Sequence, residues 1–157
     1  MKRIVSVALA AGIVSLSGFG PAYAQDKTVE FSLNVGTMTA IGGDASLSSF
    51  AFTVSPQVDI RVAKRFAISP EAMFITDFFN VAALPGVLLN YMGKGFFAGG
   101  GAVLPVAIAG GVGFGNVMPK VNIGYRGRDF NLTAYAVGAF EGVLQWGLVG
   151  ASVGYRF

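Results

Sequence analysis

Past residue 27, apolar and polar side chains alternate at period two along much of the chain. From Thr28 to Met38, Val29, Phe31, Leu33 and Val35 alternate with Glu30, Ser32, Asn34 and Gly36. Period two puts successive side chains on opposite faces, so the segment is a strand with one apolar and one polar face. From Phe50 to Ala63, Phe52, Val54, Pro56, Val58, Ile60 and Val62 oppose Thr53, Ser55, Gln57, Asp59 and Arg61. From Phe66 to Asp77, Phe66, Ile68, Pro70, Ala72 and Phe74 oppose Ser69, Glu71 and Met73. The pattern returns over Phe114–Arg126, Asp129–Phe140 and Trp146–Phe157. Two further segments, Ala82–Met92 and Gly95–Val106, have the same length but no clear polar face. That makes eight segments of about ten residues, the span of a tilted membrane strand.

Their connections alternate in length. Lys64-Arg65, Gly93-Lys94 and Gly127-Arg128 are tight, whereas 39–49, 78–81, 107–113 and 141–145 are longer. Short turns on one side and longer loops on the other are the habit of outer-membrane barrels, with the turns periplasmic. Aromatics sort in the same way. Phe50, Phe78, Phe79, Phe114, Phe140 and Trp146 fall at the loop ends, and Phe66, Tyr91, Phe96, Phe97, Tyr125, Phe130, Tyr155 and Phe157 near the turn ends. Two such belts are expected where a barrel meets the two membrane–water interfaces. A membrane helix over Gly95–Pro119 is a poor competitor, because eight glycines and Pro105 interrupt it. Five prolines (56, 70, 85, 105 and 119) sit awkwardly in strands, since each removes a ladder donor; bulges or segment ends would accommodate them.

The chain closes on a strand in which Val149, Ala151, Val153, Tyr155 and Phe157 share one face. An end of the form Tyr-x-Phe resembles the C-terminal insertion signal of bacterial outer-membrane barrels, which implies the barrel-assembly machinery as a partner. At the other end, Met1-Lys-Arg precedes an apolar run from Ile4 to Leu16, and Ala22-Tyr-Ala24 offers a cleavage site. This is the layout of a secretory signal peptide over 1–24, leaving 25–157 as one barrel domain. The expectation is an all-β, transmembrane, up-and-down antiparallel barrel of eight strands. It resembles the small OmpA/OmpX-type barrels in architecture and C-terminal signal, over the whole of 25–157. The resemblance implies a bacterial outer-membrane location, with outer-membrane lipids as neighbours.

Composition narrows the chemistry. There is no Cys and no His, and charged residues make up 12% of the chain against about 25% in an ordinary domain. The net charge of +3 falls to +1 once Lys2 and Arg3 leave with the signal peptide, so nothing favours nucleic acid. Lipid-modifying barrel enzymes that pair Ser with a His base are excluded by the missing His. Gly99-Gly-Gly101 and Gly110–Gly113 lack the Lys-Ser/Thr of a phosphate loop. No catalytic, cofactor-binding or metal-binding residue is expected, although loop carboxylates could hold Ca²⁺ weakly.

The candidate site is instead a charge network in the lumen, formed by Glu30, Asp59, Arg61, Glu71 and Lys120 from the polar faces. An eight-stranded lumen is just wide enough for side chains to fill. Charges there must pair to be tolerated, which favours a structural network over an ion path. A second grouping places Lys64, Arg65, Lys94, Arg126, Arg128 and Arg156 at the periplasmic rim, against Asp44, Asp77 and Glu141 on the outer side. It suggests contact with anionic phospholipid of the inner leaflet, and with lipopolysaccharide only through divalent cations. The favoured function is non-enzymatic: a structural or surface-interaction role in the envelope. A narrow porin-like channel or carrier for small or apolar solutes is the alternative, and a lipid-modifying enzyme a third reading. Oligomeric state is not encoded in any of these features.

Overall fold

The computed structural model describes residues 28–41, 50–76, 81–108, 112–139 and 146–157. The expected signal peptide, the outer acids Asp44, Asp77 and Glu141, and the aromatics Phe78, Phe79 and Phe140 lie outside the described residues.

Within them the chain forms β1 (Val29–Ile41), β2 (Phe50–Ala63), β3 (Phe66–Thr76), β4 (Val81–Met92) and β5 (Phe96–Val103). Two short pieces follow, β6 (Val106–Ala107) and β7 (Gly113–Phe114), then β8 (Met118–Arg126), β9 (Phe130–Ala139) and β10 (Trp146–Arg156). β6 continues the line of β5 along β4, after a break at Leu104-Pro105. β7 pairs with β6 as β8 pairs with β5. The wall therefore has eight staves in the order β3-β2-β1-β10-β9-β8-β5-β4, and β3–β4 pairing closes it. Each neighbour is antiparallel. Closure satisfies the backbone internally, the condition for crossing hydrocarbon with strands.

The first and last strands run side by side, from Ser32↔Arg156 to Ile41↔Gly147. The start of β1 and the end of β10 therefore lie beside the turns at 64–65, 93–95 and 127–129, here termed the turn end. Gly95 adopts a φ of +79°, a left-handed conformation that its lack of a Cβ makes inexpensive. The strand ends that flank the longer connections form the opposite, loop end.

Facing follows the period. Leu33, Val35, Phe52, Val54, Ile68, Val87, Leu89, Val121, Ile123, Leu132 and Val153 are exposed on the outer wall. On a barrel in water this continuous apolar surface would be prohibitive; in a bilayer it is the lipid face. Ser32, Asn34, Thr53, Ser55, Asp59, Ser69, Glu71, Asn90, Lys120, Asn122 and Asn131 are buried in the lumen.

Pro56, Pro70 and Pro85 fall inside strands, whereas Pro119 is the second residue of β8 and Pro105 sits in the β5–β6 break. Pro56 and Pro70 lie on the same seam. Between β2 and β3 the rungs Val54↔Phe74, Gln57↔Glu71 and Ile60↔Ile68 form, but those opposite Pro56 and Pro70 do not. Neither proline has an N–H to donate. The only register shift in this ladder comes further on, between Arg61 and Ala63, next to the turn.

Candidate functional site

The lumen is stratified along the barrel axis. Its loop-end half is apolar: Met38, Met73, Leu84, Val103, Met118, Tyr135 and Val137 form one buried cluster, with Ala51, Ile75 and Leu148 packed against it. This layer comes from all the main staves, because each contributes an inward residue near its loop end.

Below it lies the pair Lys120–Glu71, joined directly between β8 and β3 across the lumen. Only 4% of the Lys120 side chain and 3% of Glu71 is exposed. The ammonium also lies 4.9 Å from the centre of the Tyr135 ring, a cation–π contact. Tyr135 in turn shares a hydrogen bond with Thr53, at 3.3 Å. A void of about 20 Å³ remains between Asn34, Ser55, Glu71, Lys120, Asn122 and Tyr135. That is room for about one water molecule and far too little for a solute. Asn34 Oδ1, Ser55 Oγ and Asn122 Oδ1 around it have no protein partner.

At the turn end sits a second cluster. Arg126 contacts Glu30 and lies 2.8 Å from Asp59, while Arg156 donates to Glu30 at 2.6 Å. Arg61 reaches Glu30 at 3.5 Å with 40% of its side chain exposed, so it belongs to the margin of the cluster. Asp59 accepts further hydrogen bonds from Gln57 Nε2 at 2.7 Å and Ser69 Oγ at 2.6 Å. Asn90 Nδ2 donates to the same Ser69 at 2.7 Å. Arg156 also donates to the Gly127 carbonyl at 2.6 Å, tying the last strand to the third turn.

The five lumenal charges expected from sequence thus separate into two groups: Glu30, Asp59 and Arg61 at the turn end, and Glu71 with Lys120 at mid-barrel. Two further charges join them. Arg126 and Arg156, expected at the rim, turn into the lumen because they share the parity of Lys120 and Ser152 on their strands, and two carboxylates await them there. Phe97, expected in the aromatic belt, is likewise buried at 5% exposure. Its ring fills the space that a Cβ on Gly124 would occupy, 2.5 Å away. Adjacent residues of a strand face opposite ways, so Phe96 and Phe97 could not both join the belt.

The remaining turn-end aromatics do form a belt on the outer wall. Phe66 and Tyr91 rings lie 5.6 Å apart, Tyr91 and Phe96 6.2 Å, and Tyr125 and Phe130 6.0 Å. Phe157 packs on Tyr155 at 5.0 Å and on Phe31, a further member of the belt, at 5.4 Å. In the C-terminal strand, where an insertion signal is expected, Val153 and Tyr155 are exposed on this face, as are Ala151 and Phe157, with Val149 half-buried. At the loop end Phe50 and Phe114 are exposed. Among the described residues no cluster of acids could hold a metal ion.

Comparison with solved structures agrees with this architecture. Neisserial surface protein A is 11% identical, with a TM-score of 0.54 over 83% of this chain and 96% of that one. The attachment invasion locus protein Ail of Yersinia pestis is 11% identical, with a TM-score of 0.54 over 82% of this chain and 97% of that one. A de novo designed transmembrane β-barrel scores 0.53 at 11% identity, over 85% and 98%. No family model matches the sequence. No curated protein matches it either. At this identity the likeness is one of fold: the chain is a small eight-stranded barrel of the outer-membrane type.

Proposed function

We propose that the protein is a non-enzymatic barrel of the bacterial outer membrane, with a structural or surface-interaction role and a sealed lumen. The observation that carries this reading is the filling of the lumen. An apolar layer, a desolvated ion pair and a paired charge cluster succeed one another, with a void of about 20 Å³ between them. A conducting path would need a continuous wet track, and charges lining it would not be so fully paired. The turn end then faces the periplasm and the loop end the outside. From Phe96 to Pro119 the chain carries no charge, and Ile108, Val112, Phe114 and Val117 are exposed about the β6–β7 hairpin. Such a tip suits apolar surface contact better than recognition of charged sugars.

Single-channel recording in planar bilayers tests the reading. Purified protein is expected to insert, shown by heat-modifiable gel migration, without producing conductance steps. Steady ion currents that scale with inserted protein would replace the sealed-barrel reading with the channel.

A further inference from the structure

Arg126 and Arg156 are spent in the lumen, and this changes the charge map of the turn end. The third turn, Gly127-Arg128-Asp129, carries its own acid. The other two turns do not. Lys64 and Arg65 join β2 to β3, Lys94 joins β4 to β5, and all three are exposed. The two turns are neighbours, because β3 and β4 pair from Phe66↔Tyr91 onward and Met92 N–H donates to the Arg65 carbonyl at 2.8 Å. No carboxylate occurs in either turn or in the adjoining residues 62–68 and 91–98. Three cations therefore share one sector of the rim.

Directly beneath them on the outer wall stand Phe66, Tyr91 and Phe96, three rings of the belt in sequence. Arg65 Nη1 donates to the Tyr91 hydroxyl at 3.2 Å, which fixes the guanidinium at the height of the ring edge. Further toward mid-membrane the outer wall is aliphatic, with Ile68 opposite Leu89. Leu89 also faces Gly100, where an added Cβ would find its nearest neighbours at 3.5 and 3.7 Å. The wall is shallow there, between the Leu89 and Val121 side chains. Cation, aromatic edge and open aliphatic surface follow one another in the order of a lipid's phosphate, glycerol region and acyl chain.

We propose that Lys64, Arg65 and Lys94 hold the headgroup of an anionic diacyl phospholipid of the periplasmic leaflet against the β3–β4 face. This rests on the barrel being embedded in a membrane, not on its lumen being sealed. A soluble anion would be served by the cations alone; the aromatic and aliphatic surface below them adds nothing unless the ligand carries acyl chains. Exposed bases near a bilayer surface each favour anionic lipid, and three together give a preference on the order of tenfold or more.

The test is lipid retention by the mature protein in nanodiscs of mixed zwitterionic and anionic diacyl lipid, read by native mass spectrometry. Wild type is expected to keep anionic lipid about tenfold over its share, and K64Q/R65Q/K94Q to fall to parity. Arg128→Gln, on the turn that carries Asp129, is expected to behave as wild type. Heat-modifiable migration reports folding of each variant, and a salt titration of wild type provides a readout that needs no variant. Raising salt should erode the preference. Four results would each overturn the proposal: no preference in wild type, a preference that survives the triple change, an equal loss in Arg128→Gln, or indifference to salt. Loss of the bound lipid on adding millimolar inorganic phosphate would also overturn it, identifying a small-anion site instead.

Discussion

Replacing Lys120 with methionine removes the cation that Glu71 holds at mid-barrel. Both side chains are almost fully withdrawn from bulk solvent, at 4% and 3% exposure, so bulk water and salt do little to soften the loss. At an effective dielectric of about 20, a contact pair attracts by about 4 kcal/mol. Deleting one partner of a buried pair costs about 3–5 kcal/mol, because the other charge stays buried without compensation. The two estimates agree and correspond to a loss of roughly 10²–10⁴-fold in the folding equilibrium. The cation–π contact with Tyr135 goes as well. Replacing both residues by methionine removes the orphan charge and should restore stability to within about 1 kcal/mol of wild type, or exceed it. Urea unfolding in phospholipid vesicles, followed by Trp146 fluorescence and gel mobility, measures all three proteins. A Lys120→Met loss below about 1 kcal/mol, with no recovery in the double variant, is the behaviour of a solvated pair. That outcome would remove the desolvated middle layer and with it the case for a sealed lumen.

Further outcomes are expected from the same assay and from two others. Arg126→Leu strips Asp59 of its ion-pair partner and should cost about 3 kcal/mol, with Arg126→Lys recovering part of it; a cost near zero would mean that the hydrogen bonds from Gln57 and Ser69 suffice. Gly154→Val should cost about 1–3 kcal/mol, since a Cβ there would sit 2.0 Å from Asn34 Oδ1 and 2.3 Å from Asn131 Oδ1; wild-type stability would show that these amides swing away freely. Pro56→Val with Pro70→Val returns two donors to the β2–β3 seam and should add about 1 kcal/mol per rung while slowing amide exchange along it. Unchanged exchange would show that the missing rungs leave no backbone group in need. Deleting Phe157 removes the ring between Phe31 and Tyr155 and should lower the heat-modifiable, membrane-inserted fraction in cells; full insertion would argue against an assembly role for this end.

The fold was legible where a polar lumen meets lipid across a single sheet. β1, β2, β8, β9 and β10 show the period plainly because Asn34, Asp59, Lys120, Asn131 and Ser152 face one way and aliphatics the other. β4 and β5 hid theirs for a physical reason. Their buried inward residues include Leu84, Leu88, Phe97 and Val103, so both faces of the strand are greasy and alternation vanishes. The site was half legible. Parity alone would have put Arg126 with Lys120 and Asn122, and Arg156 with Ser152 and Gly154; their place at strand ends disguised them as rim residues. That the charges form two clusters rather than one depends on stagger between distant strands such as β3 and β8, and no local pattern carries that. The missing rungs at Pro56 and Pro70 similarly depend on which neighbour each N–H would have faced.

The stratified lumen bears on how such a chain enters the membrane. In the proposed outer-membrane setting, a strand pair arriving from the periplasm would have to push its loop-end tip through first. The tips of these staves are uncharged on their inner faces, where Met38, Met73, Leu84, Val103, Met118 and Val137 stand. Glu30, Asp59, Arg61, Arg126 and Arg156 bring up the rear and can find one another without leaving the side of departure. With the order reversed, five ionised groups would have to pass hydrocarbon before any partner was in place. The polarity of the filling thus gives the barrel a leading and a trailing end, and makes its orientation a matter of transit as well as of final stability.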